Sequence, residues 1–137
     1  MSGFSKGSSS TVVASYQFGS QTANIASTAV SYWGSTNYNA AGLYRFSYEL
    51  EVTTVGAAGS TLPGLVITAY NRQNQQLSTT TATSTGNTLT TFTSGTLIFD
   101  VRAGSSNDVT YATTGYASPT AGMQYSLRFV VEYLGNV

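Results

Sequence analysis

The acidic side chains offer the most direct chemistry in this 137-residue chain, which has five Asp and Glu and lacks histidine and cysteine. Glu49 and Glu51 lie two residues apart, so on a strand they share one face. Two carboxylates across a sugar-sized gap are the catalytic pair of glycoside hydrolases. The alternative is that Glu49 and Glu132 form ion pairs with Arg45 and Arg128, either on a sheet face or across a subunit contact. Ion pairing is favoured, because Arg45 lies on the same strand face as the two glutamates.

The other chemical motifs are weaker. Asp100 and Asp108 flank a Gly-Ser-Ser-Asn turn that could offer oxygens to Ca²⁺, but the spacing of a calcium loop is absent and an Asx-type turn is favoured. The serines lack a histidine or a plausible lysine base, so none is a credible nucleophile. The Gly-rich runs lack the Lys and the following helix of a phosphate loop. We therefore expect no catalytic residue, no metal site and no cofactor.

Composition supports a non-enzymatic, assembled protein. Charged residues make up 7% of the chain, and five basic side chains balance five acidic ones. Such a chain has no basic field for nucleic acid or for an anionic membrane. Ser and Thr make up about 30% of the residues, above the usual share. Zero net charge favours association, although a neutral monomer is the alternative.

The N-terminal residues 1–10 differ from the rest of the chain. They are rich in Gly and Ser, which bury little surface, so we expect a flexible arm followed by one domain over residues 11–137. Phe4 and Lys6 are the exceptions and could make this arm a docking peptide; a frayed terminus is the alternative. The chain begins without the apolar run of a signal peptide, and no stretch approaches the length of a membrane span. We expect synthesis in a cytoplasm and no membrane insertion.

Apolar residues alternate with polar ones along most of the chain, which predicts strands rather than helices. The clearest example is 43–54, where Tyr44, Phe46, Tyr48 and Leu50 share one face and the charged residues the other. The other strands are predicted at 12–18, 65–70, 95–102, 108–114 and 123–134.

The remaining segments give weaker predictions. Two short strands are expected within 22–33, and two weak edge strands around Gly86 and Asn87. The nearly continuous apolar run at 65–70 predicts a strand covered on both faces. Eight to ten short strands at this spacing indicate an all-β, single-domain antiparallel sandwich or barrel.

Three segments, in order, resemble the jelly-roll domains of the tumour-necrosis-factor and C1q family. They are the stretch Gly42–Val52 (GLYRFSYELEV), the stretch Ser94–Gly104 (SGTLIFDVRAG) followed by Asp108-Val109, and the closing strand Tyr125–Leu134. The second departs from the family pattern by three inserted residues before the Asp. The Thr-, Ser- and Gly-rich style is similar to small structural proteins of tailed bacteriophages with this fold, several of which trimerise.

The resemblance implies which residues meet a neighbouring subunit. In the family, the outer face of the first sheet packs around a threefold axis. Carried over, Arg45, Ser47 and Glu49 would face neighbouring subunits, with Arg128 and Glu132 as possible charge partners, and the arm would dock on the capsid. Tyr44, Phe46, Tyr48 and Leu50 would then fill the core of each protomer.

These expectations combine into a virion structural protein. The first choice is a trimeric decoration protein of a tailed bacteriophage, made in the host cytoplasm, that binds the phage major capsid protein on the capsid exterior. The alternative is the knob of a head or tail fibre, which would bind a host-surface glycan or protein through loops 55–63, 71–76 and 115–122. An enzyme such as a glycan hydrolase is the least supported class.

Overall fold

The chain folds into two packed antiparallel sheets. The computed structural model describes residues 11–30, 40–103, 108–120 and 122–136. Their ten strands are β1 (Thr11–Gln21), β2 (Thr28–Ala29), β3 (Gly42–Thr54), β4 (Thr61–Leu62), β5 (Gly64–Tyr70), β6 (Gln76–Thr80), β7 (Ser84–Thr85), β8 (Phe92–Val101), β9 (Val109–Thr114) and β10 (Gln124–Gly135).

The order of the strands identifies a jelly roll. The first sheet has the order β1-β10-β3-β8 and the second has the order β2-β9-β5-β6, while β4 and β7 form a small separate ribbon. The chain therefore crosses repeatedly from one sheet to the other, and the two long central strands β3 and β10 pair although they lie far apart in the sequence. This is the double-sheet arrangement of jelly rolls, and it confirms the predicted fold class.

Alternating burial along the strands explains how the two sheets pack. On β3, Tyr44, Phe46 and Leu50 are fully buried, whereas Arg45 and Glu49 are only partly covered. The same period of two runs along β10, where the fully buried residues are Tyr125, Leu127 and Val131. Because successive side chains on a strand point to opposite faces, each central strand contributes one apolar row to the core and one polar row outside.

Aromatic rings occupy the centre of the core. Phe129 stacks on Phe46 with ring centroids 4.4 Å apart and on Tyr16 at 4.9 Å. Tyr111 of the second sheet meets Phe129 at 4.9 Å in a tilted arrangement. These rings connect β1, β3, β10 and β9, so the two sheets are joined by contacts between residues far apart in the sequence.

The strong strand predictions are confirmed, and the weak ones need correction. Strand β5 is not covered on both faces, because its outward side chains, Val66, Thr68 and Tyr70, are only half-buried. In place of two edge strands around Gly86, the structure has one edge strand, β6, and the two-residue β7. Of the two strands expected within 22–33, only β2 lies in the described part; residues 31–39 lie outside it.

Candidate interaction surface

The outward side chains of the β1-β10-β3-β8 sheet form a surface that we call the outer face. The strand register arranges it in rows. One row runs Val12, Glu132, Arg45, Ile98; the next runs Ser15, Val130, Ser47, Thr96; the third runs Gln17, Arg128, Glu49, Ser94. Charged residues therefore lie on the two central strands, and the edge strands contribute only uncharged side chains to these rows.

The first charged row contains one ion pair. Arg45 Nε donates to Glu132 Oε1 at 2.9 Å across the β3–β10 pairing. The hydrogen bond from Arg45 to Glu132 raises the pKa of the Arg45 guanidinium above its usual value. Glu132 lies directly opposite Arg45 in the strand register, so the sheet itself brings the two together.

The second charged group has one cation between two carboxylates. Arg128 Nη2 lies 3.3 Å from Glu51 Oε1 and 3.6 Å from Glu49 Oε1. Ser126 Oγ also donates to Glu51 Oε1, at 3.4 Å. Glu49 and Glu51 therefore lie on a regular strand and share one arginine. This arrangement agrees with the predicted ion pairing and not with a catalytic pair separated by a sugar-sized gap.

Between the two charged groups lies a neutral band. It consists of Ser15, Val130, Ser47 and Thr96, one residue from each strand of the sheet. A shallow hollow of about 290 Å³ opens here, and its outward lining includes Ser15, Ser47 and Val130. Because the side chains of this band are small, they protrude little, and the surface of another molecule can approach the sheet closely here.

The structure brings together all the interface residues predicted on strands. Arg45, Ser47, Glu49, Arg128 and Glu132 lie on adjacent strands of one face. Their charges are paired within one chain, in which Arg128 and Glu132 already serve as the partners of Glu49 and Arg45. The predicted docking residues Phe4 and Lys6 lie outside the described residues. Two further residues of this face were not predicted: Phe92 and Ile98 are exposed on β8, and their outward position follows from the period of two.

A second charged cluster lies at the end of the sandwich where β5, β8 and β10 meet loops. Arg102 donates to both carboxylate oxygens of the buried Asp108, at 2.9 and 3.2 Å, and its guanidinium lies 4.3 Å from the ring centroid of Tyr70. Arg72 pairs with Asp100 through its Nε and its backbone N–H. Both aspartates are thus bound by arginines, which argues against the calcium alternative.

The three loops of the predicted recognition surface do not lie together. Thr61 N–H donates to the carbonyl of Ala117 at 2.8 Å, which joins loop 55–63 to loop 115–122. Loop 71–76 follows the other end of β5, a seven-residue strand, which spans roughly 20 Å. A single recognition surface built from all three loops is therefore excluded, because the length of β5 separates them.

The arrangement as a whole defines a single jelly-roll domain whose outer face carries charges that are paired within the chain. The described residues bring no three potential metal ligands together, and none of them forms a helix long and apolar enough to cross a membrane.

Comparison with known proteins supports the fold through structure alone. No protein-family model and no curated protein matches the sequence. Among solved structures, the PRD1 vertex protein P5 is similar, with a TM-score of 0.52 and 12% identity over 93% of this chain and 99% of that chain. A chain of infectious bursal disease virus, Gx strain, has a TM-score of 0.38 and 15% identity over 93% of this chain and 32% of its own.

Proposed function

We propose that the chain is a non-enzymatic structural protein of a virus particle. In the specific form we favour, it is a homotrimeric decoration protein of a tailed bacteriophage that binds the major capsid protein on the capsid exterior. The observation that carries the proposal is the outer face, a four-stranded surface whose charges are all paired within one chain. Support for a virion setting comes from the PRD1 vertex protein P5, which this chain matches over nearly its whole length.

The outer face suits packing around a threefold axis. Burying an unpaired charge in an interface is costly, but Arg45 and Arg128 are already paired with carboxylates of the same chain. The neutral band around Ser47 and Val130 leaves room for a neighbouring subunit to approach. The resemblance to the tumour-necrosis-factor and C1q family points to the same face, and this interface remains a proposal.

The positions of the chain ends suggest how a trimer would stand on a particle. Thr11 pairs with Tyr133, and Tyr133 pairs with Tyr44, so the start of β1 lies toward the end that holds Arg72 and Asp100. An arm formed by residues 1–10 would leave the domain there. Loops 55–63 and 115–122 lie toward the opposite end and would point away from a particle to which the arm is bound.

The trimer is tested by mass and by one pair of substitutions. We expect a solution mass near three times 14.3 kDa. Ser47→Glu, in the neutral band, should reduce that mass to a monomer's, because it adds one unpaired charge per subunit at the threefold contact. Thr110→Glu, on the outward side of the second sheet, is the matched control and should leave the mass unchanged. A trimer that survives Ser47→Glu would exclude the outer face as its interface.

The location is tested on intact particles of the source virus. Antibody–gold labelling spread over the head would support decoration, and deletion of residues 1–10 should then release the protein from the head. Label on no particle would overturn the virion proposal.

A second candidate function is the knob of a head or tail fibre. The observation that favours it is the convergence of loops 55–63 and 115–122 at the end of the sandwich away from Thr11. Both loops expose glycine backbone, at Gly59 and Gly115, and exposed loops of this kind suit recognition of a host-surface glycan or protein. Gold label confined to a fibre or tail tip would support this function over decoration.

A further inference from the structure

Exposed apolar side chains are concentrated at one edge of the sandwich. Leu77 on β6 is 58% exposed, and Phe92 and Ile98 on β8 are each 60% exposed. Strands β6 and β8 are the last strands of their sheets on the same side of the sandwich. Between them lies a cleft of about 330 Å³, lined mainly by apolar residues that include Leu77, Leu97 and Phe99. The core is therefore open to solvent along this edge.

The β8 edge lacks the usual protection against strand pairing. Proteins shield edge strands with proline, lysine, inward-pointing charges or bulges. Strand β8 contains no proline and no lysine, and its ten-residue pairing with β3 is regular. By contrast, β1 at the other edge of the same sheet has two irregularities, at Val12/Ala14 and at Phe18/Gln21. Within the described residues, β8 is thus an edge ready to accept another strand.

Charge does not oppose the approach of a second copy to this edge. Residues 73–99, which include β6, β7 and nearly all of β8, contain no charged side chain. Two identical edges can therefore meet without repulsion, whereas the centre of the outer face carries all its charges on β3 and β10.

The sequence of β8 is complementary to itself in an antiparallel pair. In one antiparallel pairing of two copies, Gly95 lies opposite Gly95 of the second copy. A residue that precedes Gly95 by a given number of positions then lies opposite the residue that follows Gly95 by the same number in the second copy. Phe92 of each copy then lies opposite Ile98 of the other copy, and Ser94 of each copy lies opposite Thr96 of the other. An aromatic ring opposite a β-branched side chain is a favourable cross-strand pair.

We propose that two copies of this chain associate edge to edge through β8, about a twofold axis through Gly95. The axis is perpendicular to the sheet, so the second sheets of both copies lie on the same side and the two β6 edges also approach each other. The contact joins the first sheets into one eight-stranded sheet. It covers the cleft lined by Leu77 and Leu97 with the same cleft of the partner copy.

This contact is centred on the free edge of β8, at the margin of the outer face, whereas the threefold packing proposed above is centred on β3 and β10. The twofold contact does not depend on that packing. If both exist, the twofold contact links one trimer to the next, as neighbouring units on a particle would be linked. The two proposals fail separately, because the twofold contact changes the mass by a factor of two and the threefold contact by a factor of three.

A charge exchange on β8 tests the proposal. Ser94 and Thr96 point outward and are exposed, so both can be replaced without disturbing the core. The double variants Ser94→Lys/Thr96→Lys and Ser94→Glu/Thr96→Glu should each dimerise about tenfold or more weakly, because like charges then lie opposite each other. An equimolar mixture should restore the dimer. The exposed pair Thr53→Lys/Thr114→Lys is the matched control and should leave dimerisation unchanged.

The register is tested by cross-linking, for which the absence of cysteine gives a clean background. An equimolar mixture of Ser94→Cys and Thr96→Cys chains should form a disulfide-linked dimer on oxidation, since residues opposite each other on paired strands fall within disulfide range. Either variant alone should give much less. Cross-linking that is equal in all three samples would overturn the proposed register.

The remaining outcomes are equally decisive. Absence of a twofold mass step in the unmodified chain at up to about 1 mM would overturn the proposal. So would a dimer that both charged variants retain. A dimer formed only after deletion of residues 1–10 would show that this segment, rather than a second copy, occupies the β8 edge.

Discussion

At the scale of single residues, the charged side chains in the described part of the chain are all paired. Each of the nine Asp, Glu and Arg side chains in the described part of the chain takes part in a salt bridge. One set lies in the middle of the outer face and the other ties loops together at one end. The charged groups of the outer face comprise two arginines and three glutamates, so each charge there is compensated locally although one negative charge is in excess.

The two charged groups of the outer face should respond differently to mutation. Glu132→Ala removes the carboxylate with which Arg45 pairs, whereas Glu49→Ala leaves Arg128 with Glu51 at 3.3 Å. We expect Glu132→Ala to lower the melting temperature more than Glu49→Ala, which should have almost no effect. Thermal unfolding of both variants in one buffer is the measurement. The reverse order would mean that Glu49 makes a contact with a neighbouring subunit that contributes more to stability than the Arg45–Glu132 pair.

A pair of phenylalanines separates folding from association. Phe46 is fully buried and stacks on Phe129, so Phe46→Ala should lower the free energy of unfolding by about 3–5 kcal/mol. Phe92 is exposed on the edge strand, so Phe92→Ala should change it by about 0.5 kcal/mol or less in the monomer. Chemical denaturation at low protein concentration tests both. A large loss in Phe92→Ala under those conditions would contradict its exposed position.

At the scale of elements, the sequence predicts what is local and misses what depends on distant pairing. Strands β3, β8 and β10 show an alternation strong enough to be located within a few residues. The outward position of Arg45 and Glu49 follows from the same alternation. The arginine shared by Glu49 and Glu51 could not be predicted, because it requires the register of β10 against β3.

Loop positions were beyond prediction for the same reason. The sequence shows that 55–63, 71–76 and 115–122 are loops, but only the topology shows that the first and third share one end. The ribbon of β4 and β7 is also invisible in the sequence, because two-residue strands carry no periodicity. Long-range pairing, rather than local preference, decides these features.

A buried hydroxyl fixes the connection between β1 and β2. Tyr125 donates from its hydroxyl to the carbonyl of Ala23 at 2.7 Å and contacts Thr113 Oγ1 at 2.8 Å, and Thr113 Oγ1 accepts from Ile25 N–H. Tyr125→Phe should cost about 1–3 kcal/mol, because it leaves the Ala23 carbonyl without this donor and the buried Thr113 hydroxyl without its acceptor. It should also speed hydrogen exchange at the Ile25 amide.

The matched control for this substitution is Tyr48→Phe. The Tyr48 hydroxyl makes no hydrogen bond within the described residues, so its removal should change the free energy of unfolding by about 0.5 kcal/mol or less. Equal losses in the two variants would show that the ring environment, rather than the hydrogen bonds of Tyr125, determines the cost.

At the scale of the whole molecule, the sandwich offers separate surfaces for separate contacts. The charges of the outer face are paired within the chain, and the β6–β8 edge exposes apolar side chains. The start of β1 and loop 55–63 lie toward opposite ends of the sandwich. A protein built this way can contact a particle, a threefold neighbour and a twofold neighbour at once, because the proposed contacts are centred on different parts of the sandwich: the arm, strands β3 and β10, and the free edge of β8.

The titratable groups give the whole molecule a simple dependence on pH. The chain has no histidine and no cysteine, so few groups change charge between about pH 6 and pH 9. Burial raises the pKa of the Tyr125 and Tyr111 hydroxyls above the usual value for tyrosine. In the unfolded chain both hydroxyls return to a pKa of about 10, so the unfolded state loses protons first as the pH rises.

We therefore expect the free energy of unfolding to stay nearly constant between about pH 6 and pH 9 and to fall above about pH 10. The sign follows from the raised pKa values: stability is fully present below the unfolded pKa and is lost as the pH rises through the folded one. Denaturation curves across this range are the measurement. The double variant Tyr111→Phe/Tyr125→Phe, although less stable at neutral pH, should show a shallower alkaline decline. An equally steep decline in that variant would mean that burial of these two hydroxyls does not affect the free energy of unfolding at high pH. Other tyrosines or the arginine pairs would then control alkaline unfolding.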